Sequence, residues 1–256
     1  MVHLLCLGAL SITVLMLLAW TIYLFTKNPS VIDLFWALGF VVLLCIYHYF
    51  GSYPHSYNLI VFAIGLLWAV RLFFFLFLTR SLAGFFDPRY EELSSTWKIK
   101  KSFGFLANYF LQGFLLLLVS LPFLVLSLSH LKLDVFFVLG SVVALFAIVN
   151  EALADWQLAQ FKSSLKKGEK RVCQSGWWRL SRHPNYFFDW LTWLGFAIVA
   201  LPHQYGMLAL VSPAIMLFIF LGITIDITER HSILSKGHLY EKYQSTTHKF
   251  FPWKPK

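Results

Sequence analysis

Hydrophobic positions in this chain fall in long unbroken runs, not in the alternation of strands or the one-sided stripes of soluble helices. Seven runs approach the length of about 20 residues that crosses a hydrocarbon core. They lie near 3–25, 31–50, 58–78, 104–128, 135–161, 186–202 and 206–226. A helix apolar on every side has lipid or protein all round it. The sixth run is the shortest, and the short Pro202–Gln204 connection makes the last two a hairpin. The first run lacks a basic leader and is too long for a cleaved signal peptide, so it reads as the first span. Beyond the seventh, Ile233, Leu234, Leu239, Tyr240 and Tyr243 alternate with Lys236, Glu241 and Lys242. That pattern predicts a short helix lying in the membrane interface, either a membrane-hugging tail or a cover with its tyrosines facing a ligand. The expected fold is all-α, a polytopic transmembrane bundle of about seven spans. No repeat or linker divides residues 1–256, so one integral membrane domain is expected.

Composition strengthens this reading. The chain is 59% hydrophobic and 13% charged, with 27 Phe and 10 Trp, where a soluble domain carries about 25% charged residues. Too little polar surface exists to cover a soluble globule. A soluble enzyme, a disordered regulator, a secreted disulfide scaffold and a porin-type barrel are all excluded, and a helical bundle satisfies its backbone within each span. Cys6, Cys45 and Cys173 are scattered, without the spacing of a zinc or disulfide framework, and read as apolar fillers or free thiols.

The net charge of +9 is first a topology signal. Across seven spans, nineteen Lys and Arg fall on one side and only Lys132 on the other, with Arg71 inside the third run. The positive-inside rule then puts the N-terminus outside and the C-terminus in the cytoplasm. The long connections at 79–103 and 162–185 become cytoplasmic, and the working face with them. The basic loops suit anionic headgroups better than nucleic acid.

Ionisable groups inside spans are costly and mark sites. Asp33, Arg71, Glu151, Asp155, Asp189 and Asp226 all fall in the cytoplasmic half of this topology. A shared polar cavity open to the cytoplasm is expected. Plainer readings stand beside it. Asp33 follows Asn28-Pro29-Ser30 and suits a helix first turn; Arg71 could snorkel or pair with Asp33 or Glu151; Asp226 is close enough to the interface to be solvated. Glu151 and Asp155 are four apart and share a face, so they need a partner.

The most informative stretch runs from Gly176 to Asp189, GWWRLSRHPNYFFD. Pro184 suits the first position of a helix, with Ser181 or His183 before it. Arg179 and Arg182 beside that positive helix end form a candidate anion site. Asn185 and Asp189 share a face and can meet a neutral polar ligand such as a carboxamide. Trp177 and Trp178 read as interface anchors, and His183 as a helix-capping residue. No second His stands at ligand spacing, so no metal site is expected.

Here the chain resembles a family. GWWRLSRHPNYFFDW, with ERHSILSKGHLYEKYQSTTHKFFPW after it, is similar to the C-terminal signature of the steroid 5-alpha-reductase-like membrane proteins, and most closely to their bacterial branch of unassigned function. NPSVIDLFWALGF, LLWAVRL, DPRY, LQG and NEALADWQLAQFK extend the resemblance over most of the chain. The stretch to Asp189 also resembles sterol delta-14 and delta-7 reductases and, more distantly, isoprenylcysteine carboxyl methyltransferases.

The resemblance implies NADPH held by residues 162–256 at the cytoplasmic helix ends, in a bacterial inner membrane. Asn185 and Asp189 stand where the family contacts the nicotinamide end. Arg179 and Arg182 match its basic positions. Tyr240 and Tyr243, with Glu229 and His183, fall in the cofactor-binding signature. Asp189 replaces the Glu of the steroid enzymes, as in sterol reductases, and their Glu–Tyr catalytic pair has no matched position in this chain.

The expected chemistry is reduction of an activated C=C bond in an apolar lipid, steroid-like or isoprenoid substrate, with Tyr186 or a protonated Glu151 as the acid. No GxGxxG is present, so the bundle itself must make the cofactor site. Two alternatives stand: an S-adenosylmethionine-dependent methyltransferase in which Arg182 and His183 hold the cofactor carboxylate, and a non-catalytic lipid-binding or transporter-like protein. The second alternative needs polar residues in the outer half, which this sequence keeps apolar.

Overall fold

The computed structural model describes residues 1–52, 56–81, 86–166 and 168–255. They are helical almost throughout. The longer helices are α1 (Val2–Thr26), α2 (Val31–Phe50), α3 (Ser56–Leu76, running on as a π-helical turn over Phe77–Ser81), α5 (Lys101–Val119), α7 (Val135–Ser163) and α8 (Pro184–Ala200). Shorter pieces are α4 (Pro88–Ser95), α6 (Leu121–Ser127), α9 (Val211–Ile219), α10 (Ile225–Lys236) and α11 (His238–Thr246).

Six segments are long and apolar enough to cross a membrane: Val2–Thr26, Val31–Phe50, Tyr57–Arg80, Lys101–Val119, Val135–Ser163 and Gly206–Lys236. The protein is a multi-pass integral membrane protein. Two expected spans differ in form. The run at 104–128 is broken, because Ser120 ends α5 and Pro122, which has no N–H to donate, lies in the first turn of α6. The sixth run forms α8 with only 17 residues, about 25 Å at the helical rise. The last run is a near-continuous rod from 3-10 turn (Gly206–Leu210) through α9 and a π-helical turn (Phe220–Thr224) into α10.

The chain packs as two compact units. The first comprises Met1–Ser141 and Phe196–Ser212. In it α2 packs on α1 and α3, and α5 packs on α1. Close approach is set by a small residue: a Cβ on Gly39 would stand 2.5 Å from Leu116 of α5. Polar side chains reach backbone carbonyls between segments, with Tyr109 donating to Pro29 O at 2.9 Å and Trp20 to Ser102 O at 2.8 Å. Away from these contacts the helices expose Leu10, Val14, Leu17, Leu67 and Phe74, as a lipid solvent allows.

At the Asp33 end of this unit a charged cluster joins three helices. Asp87 caps α4 and accepts from Arg89 N at 3.0 Å and from the Arg89 guanidinium at 2.6–3.0 Å. Its own N–H donates to Ser30 at 2.8 Å. Burial alone would raise its carboxyl pKa; the hydrogen bond and charge of Arg89, with Arg80, outweigh that and hold it at about 2. Asp33, in the first turn of α2, accepts from Tyr90 at 2.8 Å and pairs with Arg80. Its cation is therefore Arg80 and not Arg71.

The second unit comprises Val142–Gly195 and Pro213–Lys256. Here α7 exposes Val142, Phe146, Val149 and Trp156 on one side and receives the 175–178 turn on another. Gly176 takes a left-handed φ of 57°. A Cβ there would stand 2.3 Å from the Gln157 amide, which accepts from Trp177 N at 3.0 Å. Trp178 is buried and donates to Ala154 O at 2.9 Å. Trp178 is thus a packing residue, where an interface anchor was expected. Trp190 donates to Pro213 O at 3.1 Å, so α8 lies against the start of the returning rod.

Candidate functional site

The polar groups of the second unit gather where α7 ends and α8 begins. Pro184 opens α8, as its fixed φ and missing N–H favour, and Ser181 accepts from His183 N at 3.1 Å just before it. Asn185, in the first turn, donates from its amide to Asp155 of α7 at 3.2 Å. Asp189 lies one turn further along α8, and Glu151 one turn back along α7. The two helices are antiparallel at this contact, since Phe188 packs toward Phe146, 6.1 Å between rings. Glu151 and Asp155 are 3% and 5% exposed, in an apolar surround where no carboxylate is retained without a purpose or partner. The structure thus joins Asn185 to Asp155, with Asp189 and Glu151 one helical turn away along α8 and α7. Asp33 and Arg71 belong to the first unit.

Tyr186 lies in a stack of three parallel rings. His183 lies 5.4 Å from it at 5°, and Phe220 lies 4.9 Å away at 4°. Phe220 is the first residue of the π-helical turn, a deformation that often marks a functional site.

Beside the stack is a buried ionic clamp. Arg182 donates from Nε to Glu229 at 2.6 Å and from Nη2 at 3.2 Å, and from Nη1 to the carbonyls of Gln244 and Thr247 at 3.0 and 2.6 Å. Glu229 also meets His183 Nε2 at 3.1 Å and accepts from Gln244 at 2.7 Å. Burial pushes the His183 pKa down, and the proximity of Glu229 only partly offsets it. Arg182 and Glu229 thus engage each other and the C-terminal end of α11 with Thr247 after it. Arg179 is exposed at the mouth of α8 and makes no ion pair among the described residues.

The α11 tyrosines face inward. Tyr243 donates to the carbonyls of Trp178 and, at 3.2 Å, Ser181. Tyr240 packs edge-on against it, 5.7 Å between rings, under Lys236. Burial raises the pKa of both phenols. Further stitches follow: Ser181 to Phe250 O at 2.7 Å, Arg182 N to His248 O at 2.9 Å, and Trp253 N to Leu180 O at 3.2 Å. Asp226 is half exposed and pairs with Lys249 at 2.6 Å, the solvated role that its position suggested.

Sequence reasoning missed the tie from 244–253 back to 178–183. It also missed the role of Arg80 and Asp87, although Asp87-Pro88 is a readable helix start. A family model described as "Protein of unknown function (DUF1295)" matches residues 19–247. No curated protein and no solved structure matches the chain.

Proposed function

The chain belongs to the DUF1295 family, and on that premise we propose a membrane-embedded NADPH-dependent reductase of an activated C=C bond in an apolar lipid, steroid-like or isoprenoid substrate. The observation that carries the reading is the contact of Asn185 with the buried Asp155, with Asp189 one turn along α8 and the buried Glu151 one turn back along α7. The resemblance of the 176–189 stretch to the reductase signature adds to it.

The donor set fits the nicotinamide end of such a cofactor. Asn185 has an amide N–H on Asp155 and an amide oxygen that can accept from a carboxamide. Asp189 offers an acceptor on the same face. Arg179, exposed at the helix N-terminus, is suited to a phosphate. Arg182, Glu229, Tyr240 and Tyr243 act behind the site, holding the 178–183 turn and α11 in one piece. Bound there, NADPH would supply the hydride. Tyr186, fixed by its two ring neighbours, is the proposed proton donor to the substrate, and Glu151 is the other candidate acid. Burial of Glu151 limits its access to water.

The proposed topology follows the Lys and Arg distribution. α8 completes a seventh crossing with the rod against which Trp190 packs, and the site faces the cytoplasm in a bacterial inner membrane.

The test is ligand-induced thermal stabilisation of the purified protein by NADPH, with NADH and S-adenosylmethionine as competitors. A ligand at about 100 times its Kd adds about 2.7 kcal/mol. Stabilisation by NADPH that Asn185→Ala and Asp189→Ala abolish is expected. Stabilisation by S-adenosylmethionine instead would make the chain a methyltransferase of a lipid or prenylated acceptor. Silence from all three would favour a lipid-binding protein without chemistry.

A further inference from the structure

The first unit holds a small cavity at the end away from the Asp33 cluster, between the last turns of α2, the first turns of α3, and α6. Its volume is about 30 Å³, and its lining includes His48, Asn58, Val61, Phe62, Phe123 and Ser127. Asn58 is 7% exposed. Its amide nitrogen donates to Leu126 O at 2.8 Å and to Ser129 O at 3.1 Å. Those two carbonyls fix the orientation of the amide, because the flipped form would set oxygen against oxygen. The amide oxygen Oδ1 then has no hydrogen-bond partner among the described residues. A buried acceptor left unsatisfied is costly and calls for a donor.

The surroundings narrow the class of donor. Two other hydroxyls at this place are already engaged: Ser127 donates to Leu124 O at 2.7 Å, and Tyr47 bonds Ser120 at 3.2 Å. A lone water needs two to four polar partners, and most of the wall is hydrocarbon. His48 stacks flat on Phe62 at 4.3 Å and 13°, so that wall is rigid and aromatic. Tyr49, Phe50, Leu59 and Ile60 around it are exposed, as lipid-facing residues are. The volume accommodates about two water-sized groups, enough for a hydroxymethyl terminus whose chain continues into the bilayer.

The geometry points to a binding site for the hydroxyl end of a membrane-dissolved aliphatic alcohol, which donates its hydrogen bond to Asn58 Oδ1. This site is independent of the reductase reading, lies in the other unit and needs no cofactor.

The test is photolabelling of the full-length protein in phosphatidylcholine nanodiscs, whose lipid headgroup has no donor, with an eight-carbon alcohol bearing a diazirine at carbon 3. Labelling is expected on peptides containing Val61–Phe62 or Phe123–Leu126. 1-Octanol at ten times its Kd should reduce it about tenfold by mass action. Heptyl methyl ether, equal in size but without a donor, should leave it in place. Val61→Phe, which fills the cavity, should abolish it. Equal competition by the ether would overturn the proposal, as would absent labelling in the wild-type protein, which leaves the cavity to water only. The ether comparison needs no variant, so misfolding of Val61→Phe cannot blur the outcome.

Discussion

Replacing Arg182 by Met keeps an unbranched, flexible stem and removes the guanidinium with its charge. The structure sets the cost. Four hydrogen bonds disappear, two to Glu229 and two to the carbonyls of Gln244 and Thr247. Glu229 keeps His183 and Gln244 but loses its full cation among the described residues, in a pair whose side chains are 7% and 9% exposed. Breaking a buried pair by removing one partner costs about 3–5 kcal/mol. Much of that loss should appear as local opening of residues 244–253, because two of the bonds hold that segment. Opening by about 3 kcal/mol raises the open population by a factor of about 100 or more. Trypsin cleavage after Lys242 and Lys249 should accelerate accordingly, while the midpoint of denaturant unfolding falls. Adding Glu229→Leu should recover part of the loss, since the orphaned buried carboxylate then goes too. The reasoning fails if Arg182→Met leaves cleavage and unfolding unchanged and yet abolishes NADPH binding. Arg182 would then be a ligand-holding group and not a clamp.

Three further outcomes follow from particular groups. Asp87→Asn should lower stability by about 2 kcal/mol, the linkage value of a carboxyl moved from 3.8 to about 2. In the wild-type protein that contribution is complete above pH 4 and disappears as pH falls towards 2, so the variant's acid unfolding should be flatter over this window. The His183 pKa is lowered from 6.5 on folding, so the unfolded chain takes the proton first. Stability should fall as pH drops below about 6.5, and His183→Phe, which can keep the stack on Tyr186, should remove that slope in a pH-resolved unfolding series. Gly51→Ala should cost about 1–3 kcal/mol, because its Cβ would stand 2.4 Å from Tyr47 O and 2.7 Å from Ser127 O, both backbone atoms that cannot swing aside; a change in midpoint below about 0.5 kcal/mol would refute the close approach.

The spans were legible because lipid removes ambiguity: a long apolar run has few other destinations. Their interruptions were harder to read. Pro122 sits in a run so apolar that a lone serine, Ser120, is the only polar mark of the break. At the site, the i, i+4 spacing put Glu151 with Asp155 and Asn185 with Asp189, but nothing in the sequence set α7 against α8. The residue types at 179 and 182 are the same, and their fates differ. Arg182 faces Glu229, forty-seven positions away, whereas Arg179 remains at the surface; only tertiary contact separates a clamp from a free cation. Asn58 drew no attention beside the charged residues, since its significance lies in an amide turned by two distant carbonyls.

The stitching of residues 244–253 onto 178–183 has a consequence for biogenesis. The α7–α8 interface is translated and inserted well before its final fastening exists. Until Phe250 and Trp253 have been made, Ser181 lacks its acceptor and Leu180 O lacks its donor. Nascent protein thus passes through a stage in which the start of α8 lacks its C-terminal cover. A released chain that ended at Tyr243 would keep Arg182 and Glu229 but lack the Gln244 and Thr247 carbonyls that close over them.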